Sequence, residues 1–184
     1  MGVSLIFGHV PALRRRRWGR AAVVTLATVV SVGTVMATAP QVLINTTPSE
    51  PPGLYLKSAL APVLGCLVAF SAPADAFPYA DRRLSYLHRV PLLKTVAAGP
   101  GDLVCTLNGQ LEIDGKARAP IALVDRQGVA LPHWSACRRL TADELFVFSD
   151  RVPNSFDSRY FGPVPQRAVL GVYAPLAVLT SGGR

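Results

Sequence analysis

Between Ala21 and Ser49 the chain carries no charged side chain, and Arg14, Arg15, Arg16, Arg17 and Arg20 stand immediately before that stretch. Ala21 to Ile44 is mostly Ala, Val, Leu and Thr, with Gly33 and Pro40 the only residues that weaken a helix. A run of this length crosses a bilayer once as a helix, so residues 21–44 are expected to form a single membrane anchor. The arginines hold residues 1–20 on the cytoplasmic side as a basic arm. Residues 45–184 are then exported, which in a Gram-negative host places them in the periplasm against the inner (cytoplasmic) membrane.

A cleaved signal peptide competes with this reading, since a basic segment, an apolar stretch and the small triplet Ala37-Thr38-Ala39 meet its requirements. Pro40 argues against cleavage: it places a tertiary amide with fixed φ just after the scissile bond, where a substrate must lie extended. Ser58 to Ala74 and Ala168 to Leu179 are also poor in charge. The first is broken by Pro62, Gly65 and Pro73 and the second is too short, so both read as buried strands.

Half of the 184 residues are apolar and only 16% are charged, which excludes a chain disordered throughout. The exported part is long enough for one domain with its own core and too short for two. The net charge of +8 falls to +3 once the five N-terminal arginines are set aside, leaving 14 basic and 11 acidic residues. A nucleic-acid reader carries its basic residues as a patch on the folded domain, so nucleic acid is not expected as a partner.

After the anchor, Pro and Gly punctuate short β-prone runs: Leu54 to Leu56, Leu67 to Phe70, Leu92 to Ala97, Leu103 to Leu107, Leu111 to Ile113, Glu144 to Phe148 and Val169 to Tyr173. Asn108-Gly109 and Asp114-Gly115 beside such runs predict tight antiparallel structure over Val104 to Ala119. The domain is therefore expected to be mainly β. In an oxidising compartment two of Cys66, Cys105 and Cys137 can pair. Cys105 with Cys137 is the preferred pair because both flank the hairpin region; closing that loop would contribute roughly 3 to 4 kcal/mol. Cys66, beside an apolar strand, is expected to be a buried, inert thiol. Cys66, Cys105, Cys137, His9, His88 and His133 form no convincing ligand set, so neither metal nor cofactor is expected.

Chemistry concentrates in three segments: Thr47-Pro48-Ser49-Glu50-Pro51-Pro52-Gly53-Leu54-Tyr55, Lys94 followed by Pro100-Gly101-Asp102, and Asn154-Ser155-Phe156-Asp157-Ser158-Arg159. A serine hydroxyl attacks a peptide carbonyl usefully only if a neighbouring base takes its proton. A lysine serves as that base only when uncharged, and desolvation is the effect large enough to bring its proton affinity down. Strand geometry puts Leu92, Lys94 and Val96 on one face, which carries the amine on an apolar surface. A Ser/His/Asp arrangement would need Ser49, His88 or His133, and Asp150 or Asp157, but no Gly-x-Ser-x-Gly elbow surrounds any serine.

These segments, in this order, resemble the signal peptidase I superfamily: a Ser in S-x-x-P, a Lys six residues before P-G-D, and N-S-x-D-S-R. The resemblance implies a signal-peptidase-like antiparallel β domain anchored by one N-terminal transmembrane helix. It also implies a serine endopeptidase with Ser49 as nucleophile, Lys94 as general base and the Ser49 N–H as one oxyanion donor. Thr47 matches the hydroxyl that supplies a second donor, Ser155 the serine that orients the lysine, and Asp157 with Arg159 a pair that braces the site.

Asn45 and the Gly53-Leu54-Tyr55 tail look like the conjugative-transfer branch, the TraF type, into which the Cys105/Cys137 pair also fits. That branch implies a pilin or other exported precursor as substrate, with cyclisation of the product in some relatives. Its partners would be membrane lipid and components of a conjugative type IV secretion apparatus. A general housekeeping signal peptidase, or a non-catalytic membrane-anchored β module of a secretion channel, are the alternatives. Two residues depart from the family pattern: Cys66 stands where an Asp is common, and Glu50 replaces an apolar residue, either facing solvent or altering specificity.

Overall fold

Alternating apolar side chains pair the chain after Pro40 into two antiparallel sheets in a computed structural model, which describes residues 41–77 and 79–179. Among the described residues the larger sheet is built from β1 (Val42–Asn45), β2 (Gly53–Ser58), β3 (Leu67–Phe70), β4 (Leu92–Ala98), β9 (Glu144–Phe148), β10 (Val164–Pro165) and β11 (Val169–Val178). Their spatial order is β1-β2-β11-β3-β4-β9-β10. The smaller sheet orders β7 (Lys116–Pro120), β6 (Gln110–Ile113), β5 (Leu103–Cys105) and β8 (Cys137–Arg139) side by side. Among the described residues two short α-helices complete the domain, α1 (Tyr79–Arg83) and α2 (Ser158–Phe161).

The expected mainly β fold is observed, and most β-prone runs lie in strands. Asp114 and Gly115 turn β6 into β7 with φ of 49° and 74°, the two positive values that a tight hairpin turn requires. Asn108 and Gly109 likewise take φ of 56° and 70°, but in a 3₁₀ turn, Leu107–Gly109, so β5 ends at Cys105 and not at Leu107.

The basic arm and residues 21–40 of the expected anchor lie outside the described residues. The end of that anchor is corrected: Val42 to Ile44 belong to β1, paired Val42 to Leu56 and Ile44 to Leu54 across β2. An apolar run of this kind suits a strand as well as a helix, and Pro40, two residues earlier, cannot continue a helix. No helix of the described residues is long and apolar enough to cross a membrane.

The main core packs Val68, Phe70, Leu92, Val96, Leu145 and Val147 beneath Ala76, Ala80 and Leu87 of the β3–β4 connection. A second cluster, around Val104, Leu111, Phe146 and Phe148, joins the two sheets. Cys105 and Cys137 face each other across β5 and β8 and are disulfide-bonded. Cys66 is free and, against expectation, only half-buried, at the edge of the main core. The start of β2 depends on glycine: Gly53 has φ of 153°, and a Cβ there would stand 2.3 Å from the Ala177 carbonyl oxygen of β11.

Candidate active site

Ser49 sits in the tight loop between β1 and β2, and Lys94 in the middle of β4. The sheet brings them together across 45 positions: Lys94 Nζ and Ser49 Oγ are 2.6 Å apart and hydrogen-bonded. Lys94 is 3% exposed, on the face it shares with Leu92 and Val96. Burial is the largest influence on the amine and pushes its pKa down; the Asp157 and Glu50 carboxylates pull the other way, and Arg159 pushes down. Desolvation thus outweighs the opposite charges around it.

The loop owes its shape to Asn45. Asn45 Nδ2 donates to the carbonyls of Thr47, Glu50 and Pro51, and its Oδ1 accepts from Thr47 N–H and Thr47 Oγ1. Thr47 Oγ1 also lies 3.3 Å from Ser49 Oγ. With its single hydrogen given to Asn45, this hydroxyl can accept from Ser49 in the resting geometry. From the other side Ser149 Oγ donates to the Ser49 carbonyl, and Tyr55 Oη donates to that of Pro51.

Asp157 and Arg159 lie at the start of α2. Asp157 caps the helix by accepting from the Arg159 N–H, while Arg159 Nε and Nη2 bond its two carboxylate oxygens at 2.8 and 3.0 Å. The same guanidinium donates to the Pro120 and Ser155 carbonyls and lies over the Phe148 ring at 4.8 Å. It therefore ties the segment carrying Ser155 to the smaller sheet. Ser155 lines the cleft with Ser49 and Lys94. Its hydroxyl is buried without a hydrogen-bond partner among the described residues, so it does not touch the Lys94 amine directly.

The cleft has a volume of about 390 Å³ and apolar walls that include Leu43, Leu84, Tyr86, Val90 and Phe156. No histidine lines it. His88 is bonded instead to Asp81 on the surface at 2.7 Å and stacked on Phe77, which removes it from a triad with Ser49. The β3–β4 connection supplies Leu84, Tyr86 and Val90, a contribution sequence reasoning missed because no motif marks that segment. It also missed Asn45 as the loop's organiser and Ser149, whose signals were only an asparagine two residues before Thr47 and a serine ending an apolar strand.

A domain of this kind, with a serine and a buried lysine meeting on an antiparallel sheet above an apolar groove, is a peptidase-like scaffold. The chain belongs to the signal peptidase family, peptidase S26, whose model matches residues 15–176. It is 35% identical over 153 residues to the conjugal transfer protein TraF of Agrobacterium tumefaciens (strain 15955), covering 72% of this chain and 80% of that one. The probable conjugal transfer protein TraF of Sinorhizobium fredii is 31% identical over 179 residues, 88% of this chain and 95% of its own. A plasmid transfer protein TraF of Escherichia coli is 33% identical, covering 72% and 81%. Within the family the chain is thus of the TraF type, as the Asn45 and Gly53-Leu54-Tyr55 signals implied. A solved signal peptidase I of Enterococcus faecalis V583 aligns with a TM-score of 0.38 at 23% identity, over 62% of this chain and 98% of that one.

Proposed function

We propose that the protein is a membrane-anchored serine endopeptidase that processes an exported precursor, a pilin of a conjugative-transfer apparatus, with Ser49 as nucleophile and Lys94 as general base. The observation that carries the reading is the 2.6 Å contact between Ser49 Oγ and a lysine amine almost wholly removed from water. Family membership and the TraF-type relatives support the peptidase class and the transfer setting.

Neutral Lys94 takes the Ser49 hydroxyl proton as Oγ bonds to the scissile carbonyl carbon. The oxyanion is stabilised by the Ser49 N–H and, after its hydroxyl turns away from Asn45, by Thr47. The Lys94 ammonium then protonates the departing amine, and the peptide bond breaks to leave an ester on Ser49. Water, activated by the again neutral Lys94, releases the acid; a precursor amine attacking in its place gives a cyclic product. The cleft's apolar walls suit an extended apolar segment with small side chains.

A membrane setting is supported by an exposed apolar face. Val42, Ile44, Leu54 and Leu56 are neighbours in the β1/β2 register and all exposed, at and just after the end of the expected anchor. That face lies against lipid in our reading, holding the cleft where a precursor's own apolar segment ends. Full-length protein with Ser49→Ala or Lys94→Ala, co-expressed with the pilin precursor of its transfer cluster, should leave the precursor unprocessed by mass spectrometry. Normal processing by either variant refutes the dyad.

A further inference from the structure

Glu50 was expected either to face solvent or to alter specificity. It is instead 5% exposed and bonded to the strand that carries Lys94: its Oε1 accepts from both the Thr95 N–H and Thr95 Oγ1, each at 3.1 Å. Successive strand residues alternate in direction. The Val96 N–H is taken by Cys66 O beside β3, so the Thr95 N–H points the other way, towards β9. There the ladder runs out, because Thr95 pairs with Phe148, the last residue of β9. The Glu50 carboxylate meets that N–H at the end of the β4–β9 ladder, and Ser149, the residue after Phe148, donates to the Ser49 carbonyl. Two adjacent loop residues thus engage two adjacent strand residues, Ser49 with Lys94 and Glu50 with Thr95.

We propose that Glu50 is a positioning residue for the Ser49/Lys94 pair, its carboxylate pinning the nucleophile's loop in register on β4. The proposal rests on the Ser49/Lys94 reading. An offset of about 1 Å between reacting groups can cost about a hundredfold in rate, and this clamp joins the neighbours of the two reacting residues. It also has an electrostatic signature. Burial raises the Glu50 pKa, while Lys94, the bonds from Thr95, and Arg151 lower it. The carboxylate in turn favours the Lys94 ammonium, as does Asp157, and Arg159 opposes it. Tyr55 feels the same carboxylate. The other charged groups around the roughly 490 Å³ cavity that Glu50 lines are Asp102, Asp114, Asp150, Lys116 and Arg118.

The test uses full-length protein in detergent and an internally quenched peptide centred on Ala-x-Ala, with Ser49→Ala as the control for the underlying reading. Glu50→Met, which has no acceptor for Thr95, is expected to lower kcat about ten- to a hundredfold with KM changed less than about twofold. Glu50→Gln keeps an oxygen acceptor and loses the charge, so it should recover most of kcat and move the acid limb of the kcat profile to lower pH. Thr95→Val, which keeps the N–H, should show a smaller loss than Glu50→Met and serves if Glu50→Met fails to fold. Wild-type kcat in Glu50→Met, an equal loss in Glu50→Gln, or an unmoved acid limb overturns the proposal while an inactive Ser49→Ala leaves the dyad standing. An active Ser49→Ala overturns the dyad itself.

Discussion

Asn45 and Thr47 hold each other at both ends: the Thr47 N–H and Oγ1 donate to Asn45 Oδ1 at 3.1 and 2.8 Å, and Asn45 Nδ2 donates back to the Thr47 carbonyl at 3.0 Å. The same amide nitrogen serves Glu50 and Pro51, so two hydrogens are shared among three carbonyls. One buried side chain replaces the backbone bonds that a loop containing Pro48, Pro51 and Pro52 cannot make for itself.

Asn45→Ala removes all of these partners at once. The expected cost is about 1 to 3 kcal/mol in urea unfolding, from the Thr47 and Glu50 carbonyls that lose this donor, while Pro51 keeps Tyr55 Oη. Peptidase activity should fall further than stability, since the loop carrying Ser49 loses its shape. Equal activity in the folded fraction of both proteins would show that the loop holds itself.

The Lys94 amine sets a pH dependence with a definite sign. Its pKa in the folded protein lies below the ordinary 10.5, so across that interval the unfolded chain binds one more proton and stability rises with pH. Lys94→Met, similar in length and without charge, should be inactive yet more stable than wild type. The gap should be widest on the acid side of the buried amine's pKa and close towards pH 10.5. Peptidase activity of the wild type should fall as pH drops through the same pKa. Thermal midpoints of both proteins across the pH range, beside a kcat profile, check the sign directly.

Asp157→Ala strands the Arg159 guanidinium, 1% exposed, with its charge uncompensated. Removing one partner of a buried pair costs about 3 to 5 kcal/mol. Because the two residues act as a unit, the Asp157→Ala/Arg159→Leu double variant should cost less than the sum of the single changes. Additive costs in a double-mutant cycle would show that Arg159 is held by Pro120 and Ser155 alone.

Thiol titration tests the cysteine assignment. Native protein should give one reactive thiol, that of half-buried Cys66, and denatured, reduced protein three. Loss of the β5–β8 bond by Cys105→Ala/Cys137→Ala should lower stability by about 3 to 4 kcal/mol, and leave Ser49 and Lys94 in contact, since neither strand carries them.

What could be read in advance follows from the range of the interactions involved. β3 and β9 are short apolar runs between turn residues, and the Asp114-Gly115 turn is set by φ preferences within two residues. Such local signals survive in a single sequence. β1 was mistaken for the end of a membrane span because Val42, Leu43 and Ile44 satisfy both roles, and only pairing with β2 decides between them. β8, with Cys137-Arg138-Arg139, has no strand pattern, and its register comes from Cys105 opposite. α2 is four residues long and depends on its Asp157 cap, too little for a helical period. The site divides in the same way. Ser49, Lys94 and Asp157 were visible as residue types at characteristic spacings, but the role of Glu50 arises where the β4–β9 ladder ends at Thr95, and no feature near residue 50 records that.

The Ser49–Lys94 contact joins one loop to a strand 45 positions further along, with β2, β3 and α1 in between. Until β4 docks, the Ser49 hydroxyl is an ordinary alcohol and the Lys94 amine a hydrated cation. Under the proposed function, completion of the fold would itself be the activation step.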